Sequence, residues 1–368
     1  MDLPITSSAV SANHSYDLID CDVHPLMQGG MPSIYPYMTD SWRRRFERKR
    51  ASPAEMPMRY RHPNGSVPRE DARPPNGGVA GSDPAFMIAD LLDRQGVDLA
   101  LLNCLTSLAI AGGQASVEES VVLASAANDY YLSEWLPRDP RFRFAMTVPS
   151  QDPLACAAEI RRIGGHKQIV AVSVPPLDIL MGNRYWWPVY EAAEEAGLAI
   201  YTHVAGAASV YISGPRQGPG VPNSYTDRYL SQPLMAEAAV ISLVFSGTLA
   251  KFPRLNFIFA EFGFLWLLPL LWRMDRVWRG LRHDVPWVTR SPIEYVNGQI
   301  YFGTQPLDEP ANPDDLEKFL ALLGGDQLLF CTDYPHWDND MPGTTLRMLP
   351  AETQRKVFAG NAVRALRL

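Results

Sequence analysis

Eight short apolar runs, alternating with stretches of helical periodicity, are the feature of this 368-residue sequence that most limits its possible folds. The runs are rich in Val, Ile, Leu, Phe and Ala and lack alternating polar residues. That composition is typical of parallel strands covered on both faces. We predict these strands at Tyr16–Asp22, Leu99–Leu105, Phe144–Val148, Ile169–Val174, Ala199–His203, Asn256–Glu261, Ile300–Thr304 and Leu328–Asp333.

The helical stretches between the runs end at Gly or Pro, the usual stop signals. We predict helices at Pro84–Gln95, Ser116–Leu136, Pro153–Ile163, Tyr185–Ala196, Gln232–Lys251, Leu265–Arg282, Pro313–Leu323 and Ala351–Leu366. Eight strand–helix units in order predict a (β/α)8 TIM barrel, with residues 16–368 as one domain after a flexible tail of residues 1–15. A doubly wound sheet is the alternative, but the chain has no GxGxxG or GxxxxGK[ST] phosphate turn.

A long segment rich in Pro, Gly and Arg, Gly29–Asp83, separates the first strand from the first helix. Because it follows a strand, it belongs at the catalytic face of a barrel, and a loop of this length is usually functional or disordered. We expect a lid-like insertion; the alternative is a flexible surface insertion. A second long loop, Val204–Leu230, should open onto the same face.

Charge and cysteine content exclude several classes of protein. Thirty-three Lys and Arg against 40 Asp and Glu give a net charge of −7, without the basic runs expected of a nucleic-acid-binding protein. No apolar stretch is long enough to predict a membrane span, and the N-terminus does not resemble a secretory signal. The four cysteines lack CxxC spacing. These features predict a cytoplasmic protein with reduced thiols and a small-molecule substrate.

Polar side chains end three of the predicted strands. Asp22 and His24 close the first strand, His203 the fifth and Asp333 the eighth. Residues two apart in a strand point to the same side, so Asp22 and His24 can both face the barrel mouth. Carboxylate and imidazole ligands suit Zn, Mn or Fe. We therefore predict a metal site; local hydrogen bonds or a helix cap would be the alternative for each residue alone.

Two more residues follow the same strand ends. Glu261 ends the sixth strand and could be a metal ligand, a general base or a residue that orients a ligand. His336 follows Asp333 by three residues and is either close to the metal ligands or structural.

Candidate substrate contacts lie near the strand ends and in the insertion. Trp187 and Trp266 are the tryptophans nearest the strand ends and could stack on a flat substrate. Arg59, Arg61 or Arg69 in the insertion could bind a carboxylate, although arginines in loops are usually solvated.

The segments DCDVHP, AEFGFLWLLPLLWRMD and FCTDYPHWD, together with His203, resemble the amidohydrolase-2 family, which includes aminocarboxymuconate-semialdehyde decarboxylase-like enzymes. The resemblance extends from about Asp17 to Ala365. It implies a TIM barrel with one divalent metal held by Asp22, His24, His203 and Asp333, with Zn preferred and Mn possible. Decarboxylases of this family carry a His within an HxG motif at the end of strand six, where this chain has Glu261.

Three functions remain open from the sequence. The first is a metal-dependent hydrolase acting through an activated water, with Glu261, Asp333 and His203 as catalytic residues and Glu261 or Asp333 as the base. The second is a non-oxidative decarboxylase of an aromatic or unsaturated carboxylic acid. The third is a barrel that only binds ligands. Replacement of the family's His by Glu261 favours hydrolysis, because an ionised carboxylate beside a cation can accept a proton from water.

The nine tryptophans and the apolar residues on the outer helices predict a homodimer. The preferred contact is Leu265–Arg282 with Val285–Trp287. The alternative is that the insertion covers these residues within one chain.

Overall fold

A computed structural model describes residues 16–49, 68–112, 116–176, 178–204, 224–342, 344 and 346–368. The predicted tail, Arg59, Arg61 and most of the second long loop lie outside the described residues.

Eight parallel strands form one sheet in the order β1 to β8, so the predicted (β/α)8 barrel is confirmed. The strands are β1 Ile19–Val23, β2 Leu99–Leu102, β3 Phe142–Thr147, β4 Ile169–Ser173, β5 Ala199–His203, β6 Phe257–Ala260, β7 Ile300–Gly303 and β8 Leu328–Leu329. The sheet closes where β1 meets the chain after β8, through backbone hydrogen bonds from Cys21 to Phe330 (2.9 Å), from Asp333 to Asp22 (3.1 Å) and from His24 to Tyr334 (2.8 Å).

Helices cover the outside of the barrel. The α-helices are α1 Asp40–Lys49, α2 Pro84–Met87, α3 Leu105–Gly112, α4 Val117–Glu134, α5 Pro153–Ile163, α6 Trp187–Ala196, α7 Tyr225–Leu230, α8 Pro233–Phe245, α9 Thr248–Lys251, α10 Leu267–Leu281, α11 Pro292–Gln299, α12 Pro313–Leu323, α13 Ala351–Arg355 and α14 Asn361–Leu366. Two sequence predictions were too simple. The helix predicted at Gln232–Lys251 breaks at Gly247, whose φ of 80° is left-handed, and the last helix contains a π-helical turn at Lys356–Gly360.

Side chains inside the barrel alternate along several strands, and this alternation continues to the mouth. The residues packed in the interior include Leu101, Tyr201, Tyr301, Leu329 and Cys331. The next positions on the same faces lie two residues further along. They are Asn103 after Leu101, His203 after Tyr201, Gly303 and then Gln305 after Tyr301, and Asp333 after Cys331. The polar layer at the mouth is therefore the continuation of the apolar interior.

An irregularity in β1 aims the first two candidate ligands into the mouth. The register with β2 shifts between Asp20 and Val23. Cys21 packs in the interior, whereas Val23 belongs to the outer core between sheet and helices. Two consecutive residues, Cys21 and Asp22, thus face inward, as a β-bulge allows, and His24 follows on the same side. Asp20 points away from the interior and accepts hydrogen bonds from the amide (2.9 Å) and hydroxyl (2.5 Å) of Thr332.

The described ends of the insertion pack on the carboxyl face of the barrel. Pro68 pairs with His336, and the Arg69 amide donates to the Pro335 carbonyl at 2.8 Å. Gly81 accepts a hydrogen bond from the Leu26 amide at 2.8 Å. These contacts lie beside His24 and Asp333, where a lid would have to be anchored; the lid role itself stays a prediction. Among the described residues, no helix has the length and apolarity needed to cross a membrane.

Candidate metal centre

Four predicted ligands converge at the mouth of the barrel. Asp22, His24, His203 and Asp333 each offer a ligand atom, all of them within 4.8 Å of one another. His24 Nε2 lies 2.7 Å from Asp333 Oδ1 and 3.3 Å from Asp22 Oδ1, and His203 Nε2 lies 3.1 Å from Asp22 Oδ2. All four side chains are buried. The structure therefore brings together residues that are far apart in the chain.

Backbone carbonyls fix the orientation of both imidazoles. His24 Nδ1 lies 3.0 Å from the Asn103 carbonyl, and His203 Nδ1 lies 2.8 Å from the Val204 carbonyl. Because a carbonyl only accepts, each Nδ1 carries the hydrogen, and in the neutral ring the Nε2 lone pair faces the carboxylates. The Nε2 lone pairs and the carboxylate oxygens repel one another at these distances. A positive charge, either a proton or a bound cation, is needed to hold them together.

Two atoms of this cluster lack the hydrogen bonds expected of buried polar groups. Within the described part of the chain, Asp333 Oδ2 has no hydrogen-bond partner, and His24 Nε2 has none while its ring is neutral, since it then faces Asp333 Oδ1 at 2.7 Å without a hydrogen. Such orphaned atoms at the centre of a buried donor set are what a bound cation would satisfy. Two imidazole nitrogens and two carboxylates fit a divalent metal.

The electrostatics show the same excess of negative charge. Burial on its own would lower the pKa of His24, but Asp22 and Asp333 outweigh it and raise that pKa to about 10. Burial favours neutral carboxyls, yet His203 and His24 hold the pKa of Asp22 below its usual value. His336 and His24 do the same for Asp333. The cluster is thus arranged to hold two ionised carboxylates around a positive charge.

Further side chains orient the carboxylates. The Tyr201 hydroxyl lies 2.7 Å from Asp22 Oδ1 and 3.0 Å from the Cys21 carbonyl. His336 Nδ1 lies 2.6 Å from Asp333 Oδ1, and its ring stacks on His24 with centroids 4.5 Å apart. His336 is therefore placed against the ligands, and partners of this kind usually fix ligand orientation.

Glu261 lies beside the four ligands rather than among them. Its Oε2 is 3.3 Å from His203 Nε2, and its side chain is 10% exposed. Its backbone has φ 61°, as does that of Asp333, an uncommon conformation for residues other than glycine. Glu261 also forms a second group of close carboxyls with Asp333 and Asp338.

The buried surroundings of Glu261 oppose its ionisation while no cation is bound beside it. Burial, followed by the charges of Asp333 and Asp338, raises the pKa of Glu261 well above its ordinary value, although Arg228 opposes this. Asp338 could not be placed here from the sequence. Unless a bound cation offsets these effects, the neutral, proton-carrying form of Glu261 is favoured.

The two tryptophans predicted to stack on substrate have other contacts. The Trp266 indole donates to the carbonyls of Phe262 (3.0 Å) and Gly263 (3.1 Å), so it braces the turn that presents Glu261. The Trp187 ring lies under the cations of Arg184 (4.9 Å) and Lys251 (4.8 Å) in the helical layer. Neither set of contacts includes a metal ligand, so a substrate role for Trp187 or Trp266 stays a prediction.

The insertion contributes one arginine whose position is described. Arg69 donates through Nε (2.9 Å) and Nη2 (2.5 Å) to Asp71, and through Nη1 (2.5 Å) to Asn339. Asp71 and Asn339 thus occupy donors of the Arg69 guanidinium that would otherwise be available to a substrate carboxylate. Arg59 and Arg61 lie outside the described residues.

Neutral polar residues of the mouth escaped the sequence analysis. Asn103 follows β2, Ser173 ends β4 and donates to Asn103 Oδ1 at 2.9 Å, and Gln305 follows β7. The signal for them was the same as for His203: a polar residue directly after an apolar strand. It was applied only to residues that can bind metal or titrate.

Comparisons with known proteins agree with this architecture. The amidohydrolase family model matches residues 19–368. A γ-resorcylate decarboxylase from Rhodococcus jostii is 26% identical over 278 residues, covering 67% of this chain and 79% of that protein.

Two solved structures resemble the whole barrel. The 5-carboxyvanillate decarboxylase of Sphingomonas paucimobilis has a TM-score of 0.65 at 21% identity, covering 96% of this chain and 100% of the other. That of Novosphingobium aromaticivorans, complexed with manganese and 4-hydroxy-3-methoxy-5-nitrobenzoic acid, has a TM-score of 0.66 at 19% identity, covering 96% of both chains. At these identities the structural similarity establishes the fold.

Proposed function

The chain belongs to the amidohydrolase family, and from this premise we propose that it is a metal-dependent decarboxylase of an aromatic carboxylic acid. The observation that carries the proposal is the cluster of Asp22, His24, His203 and Asp333 with the buried Glu261 carboxyl beside it. The decarboxylase activity named for the Rhodococcus relative supports the reaction, which the sequence analysis held as the alternative to hydrolysis.

Asp22, His24, His203 and Asp333 are the proposed ligands of one divalent metal. When bound, the metal would supply a positive charge that attracts the oxygens of an acidic substrate and stabilises negative charge developing on them. Two imidazoles and two carboxylates suit both Zn and Mn. The manganese bound in the Novosphingobium structure makes Mn the first ion to test.

Glu261 is the proposed proton donor. Decarboxylation of an aromatic acid requires a proton at the ring carbon that carries the carboxylate. The ring carbon–hydrogen bond forms, the ring carbon–carboxylate bond breaks, and its electron pair restores the aromatic ring as carbon dioxide leaves. Glu261 is suited to this step because its carboxyl lies 3.3 Å from His203 at the ligand cluster, and because burial and the charges of Asp333 and Asp338 raise its pKa. It would recover its proton from water after the product leaves.

The argument for hydrolysis depended on Glu261 as an ionised base, and the surroundings of Glu261 weaken it. Hydrolysis needs a base that is ionised before reaction, whereas Glu261 is buried beside Asp333 and Asp338. Asp333 is held ionised by His24 and His336, but the proposed metal would occupy its oxygens. The geometry therefore gives hydrolysis no advantage, and the activity named for the Rhodococcus relative favours decarboxylation.

The proposal is tested by a substrate panel on Mn²⁺-loaded protein, read by mass spectrometry. The panel contains γ-resorcylate and 5-carboxyvanillate, together with small amides and lactones. We expect a product lighter than an aromatic acid by one carbon dioxide. Products that have gained a water would instead establish a hydrolase.

Glu261→Gln tests the role of the donor. It keeps the shape of the side chain, and we expect it to retain metal and lose about 10²-fold in turnover. Glu159→Gln is the matched control, because Glu159 is equally buried but lies on α5, paired with Arg162 at 2.7 Å. Full activity of Glu261→Gln would refute the assignment, and loss of metal would make Glu261 a ligand.

A further inference from the structure

One side of the barrel mouth carries an acceptor that the proposed chemistry does not use. Gln305 follows β7 and is fully buried. Within the described residues, its Oε1 has no hydrogen-bond partner. Leaving a buried amide oxygen unpaired costs free energy, so an orphan of this kind at a candidate active site needs an explanation.

The alternation along β7 turns Gln305 toward the site. Tyr301 packs inside the barrel. Gly303 comes next on that face: a Cβ there would lie 2.9 Å from Cys331 Sγ, an interior atom. Gln305 lies two residues past the end of β7, and the same alternation assigns it to the inward face, on the strand end between those that carry Glu261 and Asp333.

The orientation of the amide is fixed by its other end. Gln305 Nε2 lies 3.3 Å from the backbone carbonyl of Asp338. Because a carbonyl can only accept, the nitrogen must face Asp338 and Oε1 is the atom left over. Asp338 itself belongs to the group of close carboxyls with Glu261 and Asp333.

This side of the mouth therefore offers acceptors in excess. Gln305 Oε1 adds to the carboxylate oxygens of Asp333 and Asp338. A hydroxyl or amino group of a substrate can donate to Oε1, whereas a carboxylate cannot.

We propose that Gln305 is a specificity-determining residue, whose Oε1 accepts a hydrogen bond from a hydroxyl or amino substituent of the substrate. This inference rests on the proposed function, which identifies the ligand as an aromatic acid. It adds that the acid carries a hydrogen-bond donor away from the reacting carboxylate, on the β7 side of the mouth. An analogue without that donor would leave Oε1 buried and unpaired, which is a strong ground for discrimination.

The test measures binding, so it does not depend on turnover. Calorimetry on Mn²⁺-loaded protein compares each monohydroxybenzoate and aminobenzoate with the fluorobenzoate substituted at the same position, since fluorine occupies similar space and cannot donate. For at least one position we expect wild-type protein to prefer the donor by about tenfold or more. Gln305→Met should remove that preference.

Gln299→Met is the matched control. Gln299 lies at the opposite end of β7, is also buried, donates from Nε2 to Phe252 (2.7 Å) and Leu255 (3.1 Å), and also has an unpaired Oε1 within the described residues. Residues at the amino-terminal face of a TIM barrel contribute to stability, whereas the active site lies at the carboxyl-terminal face. Gln299→Met should therefore lower the melting temperature without changing the preference.

Three results would overturn the inference: no preference in wild-type protein, including absence of binding; an unchanged preference in Gln305→Met; or an equal loss in Gln299→Met. If Gln305→Met does not fold, Gln305→Ala removes the same amide without overfilling the site. Failure of the proposed function would look different, because hydroxybenzoates would bind selectively but no carbon dioxide would be released from any aromatic acid.

Discussion

Tyr201→Phe removes one hydroxyl and should weaken metal binding without unfolding the barrel. The Tyr201 hydroxyl is 2.7 Å from Asp22 Oδ1, and both side chains are fully buried. A hydrogen bond to a charged group contributes about 1.5–3 kcal/mol. The bond also fixes the orientation of Asp22, and loss of a partner that orients a metal ligand typically weakens metal binding 10- to 100-fold, so we expect the metal dissociation constant to rise by about this factor.

Tyr190→Phe provides the matched control for this change. Tyr190 is also fully buried, and its hydroxyl donates to the Met181 carbonyl at 2.7 Å, in the helical layer. With the hydrogen bond, Tyr190→Phe should lose about 1 kcal/mol of unfolding free energy and Tyr201→Phe about 1.5–3 kcal/mol. Only Tyr201→Phe should lose metal affinity, measured by competition with a fluorescent chelator on apoprotein. Wild-type affinity in Tyr201→Phe, or an equal loss in both variants, would refute the reasoning.

Two further predictions concern stability and assembly. Burial raises the pKa of Asp20 from 3.8 to about 7, so the folded state binds a proton that the unfolded state releases, and the unfolding free energy should fall as pH rises from about 4 to about 7. Denaturant titrations of apoprotein should show this decline weakened in Asp20→Asn; an identical pH profile in the variant would contradict the assignment. We also propose a homodimer through α10, where Trp272 is 56% exposed. Light scattering should show Trp272→Glu as a monomer and Leu154→Glu, altered at an exposed leucine of α5, as a dimer; a wild-type monomer at micromolar concentration would exclude the assembly.

The strands and the convergence of the four proposed metal ligands could be predicted from the sequence because both depend on local patterns. Apolar runs mark the strands, and a polar residue such as His203 directly after such a run marks the mouth of the barrel. Asp22 and His24 needed one more assumption, that residues two apart share a face. The structure satisfies it only after the bulge that brings Cys21 and Asp22 to the same side.

The raised pKa of Glu261 could not be predicted because it depends on residues brought close by folding. Asp338 follows β8, on a segment whose path the sequence does not reveal, yet it contributes to the raised pKa of Glu261. The contacts of Trp187 were equally hidden, since Lys251 reaches its ring from a separate helix. The local sequence pattern thus predicted where the site lies, whereas the pKa of Glu261 depends on tertiary contacts.

Carbon dioxide release from a carboxyl-labelled aromatic acid tests the central claim most directly. Mn²⁺-loaded protein is incubated with ¹³C-carboxyl hydroxybenzoic acids in D₂O, and the gas and the aromatic product are analysed together. We predict labelled carbon dioxide in amounts equal to the product, one deuterium on the carbon that lost the carboxylate, and neither in His203→Ala. Turnover that leaves the labelled carboxylate in the product, or release that persists at the wild-type rate in His203→Ala, would contradict the account.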